Sequence, residues 1–224
     1  MFTGLVSEIG RLLSVTPRRD ATLLKIAAPR SAAELSLGGS LAVNGICLTA
    51  TALGGGRVTL EAVAETRRVT TLGDWRAGHR VHLEPALRAG DPLGGHLVLG
   101  HVDGVGRIAS AGRRGRNLLL DVDCPPEVGR YLLPKGSIAV DGVSLTLDGD
   151  PRPDGFTLSL IPHTLEQTLF AGMRPGDAVN LEADILAKGA AGRKARDAAA
   201  ASTNVSTKTL TVRDIRSRGF NRRR

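Results

Sequence analysis

Short stretches in which apolar and polar residues alternate recur along most of the chain. Examples in the first half are SLAVNG, CLTATAL, RVTLEAV and RVHLEPA, and in the second half NLLLDVDC, SIAVDG, SLTLDG, FTLSLI and AVNLEADI. Turns rich in glycine or proline, such as residues 54–56, separate these stretches. A period of two interrupted by frequent turns is typical of short β-strands. The pattern therefore predicts many short strands, with a short helix or turn at PPEVGRYLL.

The sequence contains this strand pattern in two successive copies. VNGICLT at residues 43–49 matches VDGVSLT at residues 140–146, an offset of 97 residues. IGRL and VGRI lie 96 residues apart, whereas AETRRVTTL with PHTLEQTLF, and AGHRVHLEPAL with PGDAVNLEADIL, lie 98 apart. Chance similarity would not preserve both order and spacing, so the sequence indicates a duplicated domain. Many short strands in each copy predict an all-β fold of two tandem β-barrels.

Length and composition exclude several classes of protein. The 224 residues are enough for two domains with cores of their own. No apolar run is long enough to span a membrane, and MFTGLVSEIG does not resemble a signal peptide, so we expect a cytoplasmic protein without membrane contact. Cys47 and Cys124 are too few for a disulfide scaffold, and the five histidines lack zinc-binding spacing. No metal is therefore expected.

The positive charge is concentrated near the end of the chain. Residues 188–224 contain 11 Lys and Arg against 2 Asp and Glu, so the net charge of +8 belongs to this segment. Its Ala-rich and then Ser/Thr-rich composition lacks a core pattern and predicts a poorly ordered basic tail. A basic tail attracts nucleic acid only weakly and with strong salt dependence. Nucleic-acid binding is accordingly a minor alternative, which removal of the tail would test.

Five segments together resemble the riboflavin synthase family, alpha-chain type. They are MFTGLV, NGICLT, GGHLVLGHVDGVG, KGSIAVDGVSLT and IPHTLEQT, in this order along residues 1–187. The resemblance implies two similar six-stranded Greek-key β-barrels with short helices, which bind lumazine. The expected boundaries are residues 1–96 and 97–187, followed by the tail at 188–224. The family often assembles as a homotrimer, and lumazine synthase is an implied partner.

The resemblance also implies a reaction. Two molecules of 6,7-dimethyl-8-ribityllumazine dismutate to riboflavin and 5-amino-6-(D-ribitylamino)uracil by transfer of a four-carbon unit, without a metal or other cofactor. A duplicated fold would supply one related site for each molecule. Because the two molecules react differently, departures between the copies, such as Cys47 against Ser144, are expected to carry the catalytic asymmetry. Lumazine-binding fluorescent proteins, which share the fold without turnover, are the alternative.

Four residues match catalytic positions of this family. His101 matches a proton-transfer histidine, for which an imidazole with a pKa near neutrality is suited. Cys47 is expected to be a nucleophile or polar contact, and Ser144 and Thr146 to hydrogen-bond the ring or activate water. The alternative for each is structural, as a hydrogen-bonded histidine or a side chain on one face of a strand.

Further residues match family positions around the pteridine ring and ribityl chain. They are Phe2, Gly4, Leu5, Val6, Ser40, Leu48, Thr49, Ala62, Glu65, Thr66, Gly100, Val102, Lys135, Leu145, Ile161, Pro162, His163, Thr164 and Asp184. For Phe2 the alternative is core filling. His163 departs from the family, where glutamate is common. The segment GAAGRKARDAAAA also departs, because it lacks the apolar residues of a helix that would support a trimer.

Overall fold

The first repeat folds into a closed antiparallel barrel. The structure is a computed structural model that describes residues 1–204. The strands are β1 (Glu8–Pro17), β2 (Ala21–Ala27), β3 (Ser40–Val43), β4 (Ile46–Gly54), β5 (Arg57–Val63) and β6 (Arg80–Pro85), in the order β1-β2-β5-β4-β3-β6. Helices α1 (Pro29–Glu34) and α2 (Ala64–Val69) and a 3₁₀ turn (Thr71–Asp74) lie between them. Two hairpins join β3 to β4 and β4 to β5, and β6 then pairs with β3. This arrangement is a Greek key.

The second repeat has the same topology. Its strands are β7 (Gly104–Arg114), β8 (Asn117–Asp123), β9 (Ser137–Val140), β10 (Val143–Thr146), β11 (Gly155–Leu160) and β12 (Ala178–Ala183). The sheet order is β10-β9-β12-β7-β8-β11, and a single bridge between Leu147 and Leu158 links its two ends. Helices α3 (Pro126–Gly129) and α4 (Pro162–Gln167) and a 3₁₀ turn (Phe170–Gly172) complete the unit. The two sheets confirm the predicted all-β class and the duplication.

Alternation along the strands creates one core inside each unit. On β2 the side chains of Leu24 and Ile26 are buried, whereas Lys25 between them is exposed. On β8 Leu120 and Val122 are buried in the same way. Burying each such side chain contributes roughly 1.5–3 kcal/mol. These inward residues fix the register, so the residues between them face outward, where the candidate site lies.

Two equivalent segments cross between the units. We call residues 1–6 and 97–102 the first and second leading segments, because each precedes its barrel. The backbone N–H of Phe2 donates to the Val98 carbonyl at 2.7 Å, and Val98 donates back to Phe2 at 3.1 Å. Phe2 and Val98 pack with Ala42 and Ala139 in a small core of their own. Phe2 is completely buried there, so its ring fills a core.

A polar junction also joins the barrels. Asn44 Oδ1 accepts from the His82 backbone N–H at 2.7 Å, and Asp141 Oδ1 accepts from that of Asn180 at 2.8 Å. The Asn180 side chain then donates to the Asn44 carbonyl at 2.9 Å. His82 Nε2 accepts from the Leu169 N–H at 2.8 Å. Since that bond requires an unprotonated Nε2, Nδ1 carries the ring proton and donates to the Asp141 carbonyl at 3.0 Å.

The buried carboxyl of this junction predicts a pH-dependent stability. Burial raises the pKa of Asp141 from its usual 3.8 to about 7, so its contribution to stability is present below pH 3.8 and is lost as the pH rises through 7. Asn44 makes the equivalent hydrogen bond without a charge. We therefore expect Asp141→Asn to raise the melting temperature by several degrees at pH 8 and to change it little near pH 4. Thermal unfolding at both pH values measures this.

Comparison at equal pH provides the control for that experiment. Burial lowers the pKa of His82 to about 4, which costs stability below pH 6.5, but His82 is present in both proteins and its effect cancels. A melting temperature that falls equally at both pH values would contradict the prediction. It would mean that Asp141 makes a contact that an amide cannot replace.

The last helix differs from the expected disorder. Helix α5 runs from Ile185 to Asn204, through the first part of the predicted tail. Alanine has the highest helix propensity, so this composition supports a helix without a core-facing stripe. The Lys188 ammonium also contacts both carboxylate oxygens of Asp103, at 2.9 and 2.7 Å. The rest of the predicted basic tail, residues 205–224, lies outside the described residues.

Candidate functional site

Each barrel presents an outward-facing strand to the leading segment of the other repeat. The Ser144 backbone N–H on β10 donates to the Gly4 carbonyl at 2.8 Å, and the Cys47 N–H on β4 donates to the Gly100 carbonyl at 2.9 Å. A Cβ on Gly4 would lie 2.6 Å from the Ser144 Cβ, and one on Gly100 would lie 2.5 Å from the Cys47 Cβ. Both glycines have a φ near +78° (77° and 78°). Only glycine allows this conformation and this close approach.

The next residues of each leading segment also contact the opposite barrel. Val6, from the first leading segment, packs against the core of the second barrel. Val102, from the second leading segment, packs against the core of the first barrel. We therefore describe two sites: the first-barrel site, which joins Cys47 to residues 99–102, and the second-barrel site, which joins Ser144 to residues 3–6. Each site contains backbone from both repeats.

The first-barrel site contains two predicted catalytic residues. Cys47 is half-buried on the outer side of β4, with Thr49 exposed two positions further on the same face. Ser40 lies opposite Thr49 on β3. His101 follows Gly100, and its side chain is exposed while its backbone N–H donates to Glu182 at 3.1 Å. The structure thus brings Cys47 and the His101 backbone to the same edge of the first barrel.

The second-barrel site contains a histidine that the sequence analysis missed. His96 Nδ1 lies 2.7 Å from the Ser144 hydroxyl oxygen, within hydrogen-bonding distance. Burial lowers the pKa of His96, and the nearby Asp184 carboxylate only partly opposes that shift. His96 Nε2 is buried without a hydrogen-bond partner in the part of the chain that the structure describes. Thr146 is exposed two positions beyond Ser144. The site pairs a hydroxyl with a neutral imidazole.

The two sites therefore differ in where they carry a histidine. At the offset of 96 residues, His101 at the first-barrel site corresponds to Leu5 at the second. His96, just before the second leading segment, contacts Ser144 at the second-barrel site. The two sites thus contain different histidines, His101 at the first barrel and His96 at the second.

Several other predicted binding residues have buried side chains. Leu48, Ala62 and Leu145 are at most 8% exposed and belong to the barrel interiors, so any ligand contact from them must come from backbone groups. Phe2 is buried between the barrels. These placements leave the backbone and the outward neighbours, such as Thr49, to face a ligand.

The segments predicted to surround the ribityl chain occupy equivalent places in the two barrels. Thr66 at the start of α2 and Thr164 at the start of α4 each accept, through their carbonyls, a 2.6 Å hydrogen bond from a threonine four residues later. Glu65 forms two hydrogen bonds with Arg68, at 2.8 and 2.6 Å, which lower the Glu65 pKa. The remaining predicted residues in these regions, Ile161 and His163, are exposed, and Pro162 is half-buried. Lys135 is exposed with a φ of 57°.

The sequence analysis also missed a pair of buried carboxylates, Glu84 and Glu182. Both are at most 8% exposed and accept hydrogen bonds from the leading segments. A signal was present, because the blocks RVHLEPAL and AVNLEADIL keep this glutamate at an offset of 98 while their other polar residues differ. None of the aligned repeat blocks includes His96, so the repeat did not indicate it.

Within residues 1–204, no three His, Cys, Asp or Glu side chains are grouped so as to hold a metal ion. Over the same range, none of the helices combines the length and the apolar character needed to cross a membrane.

Comparison with known proteins identifies the family. The lumazine binding domain model matches residues 3–86 and 99–184. The riboflavin synthase of Mycobacterium tuberculosis is 42% identical over 191 residues, covering 84% of this chain and 95% of that protein. This chain belongs to the riboflavin synthase family. The riboflavin synthase of Bacillus subtilis is 40% identical over 188 residues, which are 84% of this chain and 87% of that protein.

Solved structures share the fold of this chain. LumP complexed with riboflavin has a TM-score of 0.75 and 22% identity, covering 82% of this chain and 99% of LumP. LumP complexed with 6,7-dimethyl-8-(1'-D-ribityl) lumazine has a TM-score of 0.73 and 21% identity over the same shares. Both matched domains begin within a leading segment, at residues 3 and 99. Each riboflavin synthase repeat thus includes the segment that lies on the opposite barrel.

Proposed function

We propose that this chain is a transferase that catalyses the dismutation of 6,7-dimethyl-8-ribityllumazine. Two molecules give riboflavin and 5-amino-6-(D-ribitylamino)uracil, the last step of riboflavin biosynthesis. The observation that carries the proposal is the presence of two related sites with different chemistry in one chain. Relatives that are 33–42% identical over 84–85% of the chain are riboflavin synthases.

The two sites match what a dismutation requires. One lumazine must lose a proton from its C7 methyl group, while the other ring is attacked by a nucleophile and then joined to the first. Proximity of two bound rings and proton transfer by positioned groups carry most of such a rate. Equivalent backbone at Cys47 and Ser144 would let each barrel hold one lumazine. The different side chains at these positions would let the two molecules react differently.

Roles at the second-barrel site follow from the Ser144–His96 pair. A histidine that is neutral at pH 7 can accept the proton of a hydroxyl 2.7 Å away, so Ser144 or a water bound to it would act as the nucleophile. Thr146, on the same outward face, would hydrogen-bond the ring edge. Asp184 would stabilise the charged imidazole that forms.

Roles at the first-barrel site are assigned to Cys47 and His101. His101 would transfer the methyl proton, and Cys47 would be a polar contact to the same ring. The outward residues near them, including Ser40 and Thr49, would contact the ligand through side chains, and Gly100 through its backbone. Glu65 and Thr66 would bind the ribityl chain here, as Pro162, His163 and Thr164 would at the other barrel. No metal or redox cofactor is assigned a role.

The proposal extends to assembly and location. Leu5, Leu133 and Ile161 lie at or beside proposed binding positions and are 53%, 58% and 52% exposed in the single chain. Coverage of these side chains by a ligand or another subunit would remove apolar area from water, which is favourable. A homotrimer in the cytoplasm, with sites completed by neighbouring chains and lumazine synthase as a partner, fits this exposure and the family. Nucleic acid is not proposed as a partner.

Turnover of the lumazine alone tests the function. Incubation of the purified chain with 6,7-dimethyl-8-ribityllumazine, without added metal, nucleotide or reductant, should yield riboflavin and the ribitylaminouracil in equal amounts. Equal amounts are required because each pair of substrates gives one of each product. Chromatography with absorbance detection measures both.

Two other outcomes of this assay would point elsewhere. Lumazine that binds, with a shifted fluorescence spectrum, but is never converted would identify a lumazine-binding protein without turnover. Riboflavin that forms only after a second substrate is added would exclude dismutation.

A chain lacking residues 205–224 should retain activity, because no proposed site residue lies there.

A further inference from the structure

Two buried glutamates each hold one leading segment through three hydrogen bonds. Glu84, at the end of β6, accepts from the Thr3 backbone N–H at 2.6 Å, the Thr3 hydroxyl at 2.7 Å and the Gly4 N–H at 3.0 Å. Glu182, on β12, accepts from the N–H groups of Leu99, Gly100 and His101 at 2.7, 2.9 and 3.1 Å. Each carboxylate therefore receives three hydrogen bonds from one leading segment.

Those segments end at the site of the opposite barrel. Glu84 belongs to the first barrel, but the Gly4 that it holds accepts the Ser144 N–H of the second barrel at 2.8 Å. Glu182 belongs to the second barrel, but the Gly100 that it holds accepts the Cys47 N–H of the first barrel at 2.9 Å. A carboxylate in one barrel is thus two hydrogen bonds away from the site of the other.

The contacts are of a kind that fixes geometry. A buried carboxylate is unfavourable unless donors satisfy it, and charge-assisted hydrogen bonds are stronger than neutral ones. Burial raises the pKa values of both Glu84 and Glu182, while the backbone N–H donors act in the opposite direction. Consecutive backbone N–H groups are among the donors, two to Glu84 and three to Glu182, so each carboxylate fixes the path of the main chain. Gly4 and Gly100 then have little freedom to move away from the strands that they cover.

We propose that Glu84 and Glu182 are positioning residues that act across the molecule. Glu84 sets the second-barrel site by holding residues 3–4 against Ser144. Glu182 sets the first-barrel site by holding residues 99–101 against Cys47 and orienting the backbone of His101. The catalytic part of this inference rests on the proposed function, whereas the geometric part does not.

Amide hydrogen exchange tests the crossed dependence directly. Glu→Gln keeps the side-chain shape, but it replaces one acceptor oxygen by an NH₂ group that cannot accept from the facing N–H groups. In Glu84→Gln we expect exchange of the Ser144 amide to accelerate about tenfold or more, with Cys47 unchanged. In Glu182→Gln we expect the reverse. Peptides covering residues 140–147 and 43–50 report the two amides by mass spectrometry.

Alkylation of Cys47 gives a second readout that does not depend on activity. Cys47 is half-buried, whereas Cys124 is buried and burial raises its pKa to about 11, so a mild alkylating reagent reports Cys47. Its rate should rise several-fold in Glu182→Gln, where the covering segment is loosened. It should stay at the wild-type value in Glu84→Gln. The matched control is Glu127→Gln, at an exposed glutamate on α3, which should alter neither readout.

The outcomes separate positioning from simple support of the fold. Faster exchange confined to the barrel that contains the altered glutamate, or equal in both barrels, would overturn the inference. If Glu84→Gln does not fold, Thr3→Val removes the hydroxyl that donates to Glu84 at 2.7 Å and accepts from the Leu5 N–H at 3.1 Å. Both bonds lie in the first leading segment, so exchange should still accelerate at Ser144 alone. An unchanged Ser144 amide in Thr3→Val together with unchanged turnover would also count against it.

Activity measurements distinguish this inference from the proposed function. Both glutamine variants should lower kcat for lumazine turnover by tenfold or more, because each disturbs one of two sites that must act together. A wild-type chain that converts lumazine, with variants that lack the crossed exchange pattern, would refute the positioning role alone. A crossed pattern in a chain that never converts lumazine would refute the proposed function alone.

Discussion

Replacement of His96 by glutamine is expected to lower turnover of the lumazine by about 10²-fold or more, the usual contribution of a positioned proton-transfer group. Glutamine can still hydrogen-bond the Ser144 hydroxyl, which lies 2.7 Å from the imidazole, but it cannot accept the proton at neutral pH. Ligand binding should change much less than kcat. Steady-state kinetics and lumazine fluorescence titration measure the two quantities separately.

The pH profile and a control variant complete this experiment. Because burial lowers the pKa of His96, the wild-type imidazole stays neutral down to below its usual value of 6.5, and activity should fall only on the acid side of that value. His79→Gln is the control, since the His79 side chain is exposed and, among the described residues, hydrogen-bonds only the Arg76 backbone N–H, at 3.4 Å. Equal loss of activity in both variants, or a normal kcat with a raised KM in His96→Gln, would assign His96 to structure.

Gly45→Ala is expected to destabilise the fold by about 3 kcal/mol or more, a loss typical of substitutions that force a steric clash in the backbone. Gly45 has a φ of 77°, and a Cβ there would lie 2.7 Å from the Gly142 backbone nitrogen. Two costs therefore add. The first is the left-handed conformation of a residue with a Cβ, about 1–2 kcal/mol, and the second is the separation of the backbone segments around Gly45 and Gly142. Thermal unfolding should show a melting temperature lowered by roughly 6–12 °C.

Gly38→Ala separates the two costs. Gly38 has a φ of 81°, but nothing lies within 4 Å of a Cβ built there. It should lose only the conformational part, about 1–2 kcal/mol. A drop in melting temperature as large as that of Gly45→Ala would mean that the approach of Gly45 to Gly142 contributes nothing.

The strands could be predicted because their physics is local. Alternation in RVTLEAV places Val58, Leu60 and Ala62 inward, and the structure buries all three. The repeat offset then gave the second unit from the first. Helix α5 was not predicted, because two features of its sequence disagree. The many alanines favour a helix, whereas the lack of larger apolar residues favours disorder, and the sequence alone does not show which effect is stronger.

The candidate site depends on contacts that a linear pattern cannot contain. Cys47 and Ser144 could be found as unequal members of equal repeats, and family resemblance supplied His101. The pairing of His96 with Ser144 joins positions 48 residues apart, and it follows from where the chain crosses between the barrels. Glu84 acts on a segment 80–81 residues earlier. Such long-range hydrogen bonds are set by topology, so they appear only once the fold is known.

The crossing of the leading segments has a consequence for how such a protein arose. A lone ancestral repeat would have kept its own barrel but lacked a cover for its reactive strand, since that cover comes from the other copy. Two identical repeats related by a two-fold axis could exchange these covers, but their two sites would then be chemically the same. Covalent fusion removes that constraint, because each copy can mutate alone. The difference between Cys47 and Ser144 is a change that a symmetric dimer could not have accumulated at one site only.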